Sequence, residues 1–390
     1  MNLKNRIKAK AILLGFELCN VTDVRPLAGY ERYEQWLRQG LHAEMHFLES
    51  ERARRSRANL HTLFEPVRSV VVLGALRSLP YYFSPPQHYL WGRISAYAFG
   101  EDYHLSLPPK IHELAAWIQT EVGKTFPYKV CTDAAPILER ELAMRSGLGW
   151  IGKNGCLINP RLGSSLLLAE LLLPIELEPD NPFTADYCGS CNRCIQACPT
   201  SCILTNRTID AARCIAYLTI EHRGTIDPAL RPQLGEWVFG CDICQMVCPW
   251  NQRASLHLSQ FQSADFSALF PNLLEEIYLT PNAFKAKYGR SAVSRAKWRN
   301  YLRNVIIVIG NLLARETPAI SIQHNAVEAL ANLLLKNHDP LIRANAAWSL
   351  GKSKTEVSLH FLHSALSYEQ DPYVISEITA ALHLHNHTPA

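Results

Sequence analysis

Between Cys188 and Pro199 the chain reads CGSCNRCIQACP, a C-x2-C-x2-C-x3-C-P run that puts four thiols into eleven residues. Soft ligands spaced this closely wrap a short, looping backbone around whatever they hold, so the segment is neither a plain strand nor a long helix. A second run, CDICQMVCP, repeats the end of the pattern at Cys241, Cys244, Cys248 and Pro249, with Val238 where a further cysteine would stand. The chain has 390 residues, 48% of them apolar, enough for a sizeable core and more than one domain. Its first stretch, MNLKNRIKAKAILLGFELC, is short, interrupted by Glu17 and without a small-residue cleavage site, and reads as an amphipathic helix rather than a signal peptide. No apolar run approaches the roughly 20 residues needed to cross a bilayer. The expected setting is therefore cytoplasmic, reducing and away from the membrane, where clustered cysteines bind metal rather than form disulfides.

The spacing is that of two-cluster bacterial ferredoxins, in which three thiolates hold one 4Fe-4S cluster and the fourth, before proline, ligates the other. Zinc takes two well-separated pairs instead. Two clusters need eight ligands and the two runs supply seven. Cys202 and Cys214 are the candidates for the eighth, and Cys214 is favoured because it lies on a predicted helix far enough along to fold back across the second run. Cross-ligation then puts Cys188, Cys191, Cys194 and Cys248 on one cluster and Cys198, Cys214, Cys241 and Cys244 on the other. Cys19, Cys131, Cys156 and Cys202 are expected to be small core residues.

The chain as a whole reads as α+β. Over 1–180 apolar β-rich runs alternate with helical periodicity, as in a layered α/β domain: Ser69 to Leu76, Tyr128 to Asp133 and Ser165 to Leu173 as strands, Lys110 to Val122 and Ile137 to Ser146 as helices. EPDNP at Glu178 to Pro182 is a break. A double-cluster ferredoxin-like domain is expected over 181–260, and a linker, a basic strip and HEAT-like α-helical repeats over 261–390. The repeats are DPLIRANAAWSLG and DPYVISEITAAL, which begin 32 residues apart, with RNVIIVIG as a partial copy. They form either a docking surface or a helical cap on the preceding domain. The formal net charge of only +4 means that a polyanion would need a local patch. Phe284 to Arg303 offers one, with seven basic residues, no acidic ones, and four aromatics for stacking on splayed bases. Lys285, Lys287 and Arg290 are its candidate RNA contacts, joined by His222 and Arg223 after Cys214. A solvated helix face with its aromatics in the repeat core is the alternative.

There is no G-x-G-x-x-G fingerprint and no P-loop. GRISAYAFGEDYH (Gly92 to His104), TDAAPILERELAMRSGLGWIGKN (Thr132 to Asn154) and GSS (Gly163 to Ser165), followed by the cysteine runs and the helical tail, resemble the epoxyqueuosine reductases, and in this order over nearly the whole chain. The resemblance implies a nitroreductase-like cobalamin-binding α/β domain, two 4Fe-4S clusters and reductive removal of the epoxide oxygen from epoxyqueuosine at the wobble position of tRNA. It further implies a low-potential electron donor and a chain acting as a monomer. Asp133 matches the family's proton donor, and Arg57, Ser95, Asp133, Leu157, Leu168 and Ala216 fall at its cobalamin contacts. Burial beside a corrin is expected to raise Asp133 so that it stays protonated; capping of the helix beginning near Pro136 is its bland alternative. Glu139 and Arg140 are expected to form a structural ion pair. CPTSCI departs from the family, in which Gly or Ala commonly follows CPT. Reductive dehalogenases, or an iron-sulfur electron carrier that docks a protein on its repeats, are the rival readings.

Overall fold

The computed structural model describes residues 2–77, 90–254, 266–315 and 320–386. The expected boundary at 260/261 lies outside the described residues. Eight strands are present among them: β1 (Leu18–Thr22), β2 (Ser69–Leu76), β3 (Arg93–Ile94), β4 (Lys129–Cys131), β5 (Trp150–Ile151), β6 (Leu157–Ile158), β7 (Leu166–Leu173) and β8 (Trp237–Phe239). The chain packs as two units, each gathering distant segments: Met1–Tyr81, Gly100–Cys214 and Asp242–Ala264 in one, Tyr82–Phe99, Ile215–Cys241 and Asp265–Ala390 in the other.

The first unit is built on a four-stranded antiparallel sheet of order β1-β2-β7-β4. β2, SVVVLGAL, is buried at every position, which suits its β-branched residues and its central place. Leu18, Val70, Val72, Cys131 and Leu172 share one face and pack with Ile137, Leu142, Ala143 and Leu157. Around the sheet run α1 (Leu3–Leu13), α2 (Gly29–Arg38), α3 (Glu51–Ala58), α4 (Tyr103–Val122) and α5 (Glu139–Arg145).

α4 starts seven residues before the expected Lys110, passing straight through Pro108 and Pro109. Proline removes a helix hydrogen bond and normally marks a boundary. Here the apolar stripe Tyr103, Leu107, Ile111, Leu114 and Ile118 is buried on both sides of the prolines, and Asp102 caps the new first turn by accepting from His104 N at 3.0 Å. That extra turn carries Tyr103 and His104.

In the second unit β3 pairs with β8 in parallel, and the helix Lys297–Arg315 is its buried axis. Arg303, with no exposed surface, donates to the carbonyls of Leu218, His222 and Gly224, while Asn304 donates to Thr219 O and Val238 O. Arg231 and Glu377 form a buried two-pronged pair at 2.9 and 2.6 Å. The helices Ile320–Lys336, Pro340–Ser353, Glu356–Leu366 and Pro372–Asn386 follow. The repeated Asp-Pro is a helix start: Asp339 accepts from Leu341 N and Asp371 from Tyr373 N, both at 2.9 Å, with proline in the first turn where no donor is needed. The glycines that close the repeats serve packing. A Cβ on Gly351 would lie 2.7 Å from that of Ala381, and one on Gly310 2.7 Å from Ser349 Oγ.

Candidate active site and metal centre

Asp133 follows β4 in a left-handed conformation, φ 54°, which non-glycine residues adopt only when their surroundings hold them there. It does not cap α5: the N-cap is Leu138, which makes no side-chain cap bond. Instead Tyr103 OH donates to Asp133 Oδ2 at 3.0 Å, and His104 Nε2 lies 3.6 Å from the same oxygen. The Asp133 side chain is 65% exposed and so faces outward. On the other side of the imidazole, His104 Nδ1 donates to Asp102 Oδ1 at 2.7 Å. Arg77, pushed down to about 10 by burial, feels the charge of Asp102. The result is a carboxylate-imidazole-carboxylate row ending at Asp133.

The chain's own groups pull Asp133 the opposite way from the burial expected beside a corrin. The hydrogen bond from His104, with that from Tyr103 behind it, holds Asp133 below the usual carboxylate range against the opposing effect of burial. His104 is raised to about 9, first by Asp102 and then by Asp133. At neutral pH the proton of this site therefore sits on the imidazole. Sequence reasoning quoted the DYH stretch but gave Tyr103, His104 and Asp102 no role; the signal was there, in a polar triplet at the start of an apolar helix.

Nor do Glu139 and Arg140 pair with each other. Glu139 Oε1 accepts from Asp133 N at 2.6 Å, and Arg140 Nη1 donates to Gly155 O at 2.5 Å.

The cysteine segment gathers two groups. Cys188 and Cys248 pack with Trp150, Phe183 and Trp250, and Trp150 Nε1 lies 3.5 Å from Cys188 Sγ. Cys194 is in electrostatic reach of Cys188, Cys191 and Cys248. The expected cross-ligated set is thus in one place, although Cys248 is 54 residues from Cys194 in sequence. In the other group Cys202, 3% exposed, has its sulfur 3.4 Å from Cys198 Sγ and also interacts with Cys214. Cys202 is thus buried, as expected of a small core residue, beside two of the expected cluster ligands. Cys214 precedes the helix Ile215–Ile220 rather than lying on it, with extended backbone. The helix Arg193–Ala197, carrying Cys194, packs against Ile243–Met246, carrying Cys244.

Thiolates on one zinc at 2.3 Å would sit roughly 3.8 Å apart. Among the described residues the only three metal-ligating side chains with donor atoms within 4.8 Å of one another are His42, His46 and Glu49. Among the described residues no three sulfurs come that close, so the thiols are not gathered as a mononuclear zinc site would gather them.

Of the remaining candidates in the first unit, Arg57 lies on α3 with its guanidinium over the Tyr33 ring, while Leu157 is buried on β6 with Leu168 of β7 packed against the same core. In the second unit Ser95 is buried and donates through its backbone N to Phe239 O at 2.8 Å; Ala216 lies on the helix Ile215–Ile220. The basic strip divides. Phe284, Tyr288 and Tyr301 are buried against one another, so they do not stack on bases. Lys287 pairs with the buried Glu276, Arg299 with Asp339 and Arg295 with Glu221. Arg223 donates to Ala296 O at 2.6 Å and Arg295 O at 3.0 Å, and His222 Nε2 lies 2.8 Å from Thr225 O. Lys285 and Arg290 are exposed. No described helix is long and apolar enough to cross a membrane.

Three family profiles match: "4Fe-4S double cluster binding domain" over 187–251, "Epoxyqueuosine reductase QueG, DUF1730" over 57–134, and "HEAT repeats" over 299–383. The epoxyqueuosine reductase of Cyclobacterium marinum is 37% identical over 309 residues, 77% of this chain and 95% of that one. That of Xanthomonas campestris is 36% identical over 364 residues, 89% of this chain and 95% of that one. Among solved structures, an epoxyqueuosine reductase with an epoxyqueuosine-modified tRNA-Tyr stem loop superimposes with a TM-score of 0.89 at 26% identity, over 98% of this chain and 99% of that one. A Bacillus subtilis epoxyqueuosine reductase, its catalytic aspartate loop swung out of the active site, gives a TM-score of 0.86 at 26% identity, over 98% of both chains. With full-length relatives above 30% identity, a mixed α/β architecture, a double-cluster segment and helical repeats in the same order, the chain belongs to the epoxyqueuosine reductase family.

Proposed function

We propose that this chain reduces epoxyqueuosine at the wobble position of tRNA to queuosine, with Asp133 passing the proton to the epoxide oxygen. The observation that carries the residue assignment is the convergence of Tyr103 and His104 on Asp133 Oδ2. Loss of an epoxide oxygen as water takes two electrons and two protons. The paired 4Fe-4S clusters are suited to deliver electrons one at a time. Asp102 keeps His104 Nδ1 occupied, which leaves the Nε2 proton facing Asp133. Asp133 takes that proton as the alkoxide develops and hands it on, and the Tyr103 hydroxyl steadies the carboxylate before and after transfer.

Cobalamin, when bound, supplies a strongly reducing, nucleophilic metal centre. Residues Arg57, Ser95, Asp133, Leu157, Leu168 and Ala216 would hold it in a nitroreductase-like fold. Two buried polar atoms without a protein partner, Thr132 Oγ1 beside Asp133 and Asn154 Nδ2 in the GLGWIGKN stretch, fit the amide-rich rim of a corrin. In this reading residues 1–180 bind the corrin, 181–260 hold both clusters through the eight cysteines named above, and 261–390 face RNA. The chain works as a monomer in the cytoplasm, with a low-potential donor feeding the clusters.

The test is mass spectrometry of nucleosides from epoxyqueuosine-containing tRNA after incubation with the reconstituted protein, cobalamin and a low-potential reductant. Loss of one oxygen from the modified nucleoside is expected. An unchanged nucleoside with corrin and both clusters present would overturn the reading.

For the RNA side, Lys285 and Arg290 are exposed, and Lys287 pairs with Glu276. Replacing Lys285 and Arg290 with Ala should weaken tRNA binding and flatten its log-log salt dependence by up to about two units, if each meets a phosphate. Lys287→Ala should instead lower the melting temperature, because it strips a partner from a carboxylate only 1% exposed.

A further inference from the structure

The left-handed turn at Asp133 needs something to hold it. A residue with a Cβ is strained there and stays only when its neighbours fix it. Within the turn, Ala134 N donates to Thr132 O at 2.5 Å and Ile137 N to Ala135 O at 2.8 Å, bonds between residues close in sequence that any tight turn makes. The hold from outside the turn comes from Glu139. Its Oε1 accepts from the Asp133 backbone N at 2.6 Å.

Glu139 is the first residue of α5, whose N-cap, Leu138, makes no side-chain bond. An acidic residue there would ordinarily serve the open amides of its own helix. This one reaches back six residues instead.

A second buried carboxyl stands behind it. Glu170 lies on β7 in register with Val72 and Cys131, which puts its side chain on the face packed by α5. It has no exposed surface, and neither carboxylate oxygen has a hydrogen-bond partner. An unpaired carboxylate in such a place is too costly to keep, so Glu170 is neutral. Burial first, then the charges of Glu139 and Asp133, push it well up. Burial and the Asp133 charge push Glu139 up as well, to about 8, although the hydrogen bond from the Asp133 amide opposes them.

We propose that Glu139 is the positioning residue of the proton donor: its side-chain oxygen accepts from the Asp133 amide and thereby keeps the Asp133 side chain turned towards Tyr103 and His104. This rests on Asp133 being the proton donor, but not on any contact between Glu139 and substrate. With the hold removed, the turn relaxes to ordinary backbone and the carboxyl leaves the end of the row.

The experiment uses the full chain with both clusters and compares Glu139→Ala with Glu139→Gln. Two readouts are taken: hydrogen exchange at the peptide covering Asp133 and Ala134, and single-turnover epoxide reduction. Glu139→Ala should speed exchange at Asp133 by about 10-fold, the scale of losing one hydrogen bond, and slow the chemical step while leaving KM close to its starting value. Glu139→Gln keeps an acceptor oxygen and should restore most of the protection and the rate. Unchanged exchange at Asp133 in Glu139→Ala would overturn the proposal. So would equal loss in the two variants, since that would make charge rather than acceptance the point. Exchange is read without turnover, so failure here leaves the role of Asp133 to its own test.

Discussion

Asp133→Asn should lower turnover by roughly 100-fold or more, the usual scale for losing a general acid or base, with iron and corrin content unchanged. Asparagine is a favourable replacement for this test because it tolerates the left-handed region almost as well as glycine does, so the turn at φ 54° survives. Its amide oxygen still accepts from Tyr103. What it cannot do is take a proton from His104 and release it to the alkoxide. The pH dependence separates the two roles. His104 is raised to about 9, so its proton is in place below that pH and is lost as pH rises through it. The rate of the single-turnover step in the unmodified chain should therefore fall on an alkaline limb near pH 9, and His104→Gln should remove that limb along with much of the rate. Near-normal turnover in a cofactor-replete Asp133→Asn variant would end the case for the relay.

Cys214→Ala should cost one cluster, taking the iron content from about eight per chain towards four, whereas Cys202→Ala should keep about eight. The structure makes this a sharper question than the sequence did. Cys202 is buried with its sulfur 3.4 Å from Cys198 Sγ and interacts with Cys214 as well, so a third thiol lies beside two proposed ligands of one cluster. A cubane spreads its ligands over four iron corners, and two thiols 3.4 Å apart are too close to serve separate corners without rearrangement. Iron analysis with EPR of both variants decides it: four irons in Cys202→Ala and eight in Cys214→Ala would reverse the assignment.

The cysteine grammar was legible because cluster ligation is written as local spacing. C-x2-C-x2-C-x3-C-P names its chemistry from twelve residues, and a second, incomplete run implies a ligand from elsewhere. Strands were legible where burial is uniform: Ser69–Leu76 is β2 to the residue because a central strand covered on both faces must be continuously apolar. The Asp-Pro repeats were legible for a related reason, since a cap and a first-turn proline are local devices.

What failed were inferences in which a residue's local type was set against partners distant in sequence. The helix was expected from Lys110, yet the buried stripe of α4 carries it through Pro108 and Pro109 despite the bonds they remove. The aromatics of the basic strip looked available to RNA until the helix Lys297–Arg315 buried them. Neighbouring Glu139 and Arg140 looked like a pair, but consecutive residues on a helix point apart and each found a backbone group elsewhere.

The sequence by itself determined the metal chemistry, the family and the place of Asp133 at a strand end, because each is carried by contiguous residues. Only the tertiary structure decided where the proton rests. That depends on Asp102, Tyr103 and His104 meeting a residue some thirty positions away across the first turn of α4, and a pKa is a property of distance and burial, neither of which a spacing along the chain contains.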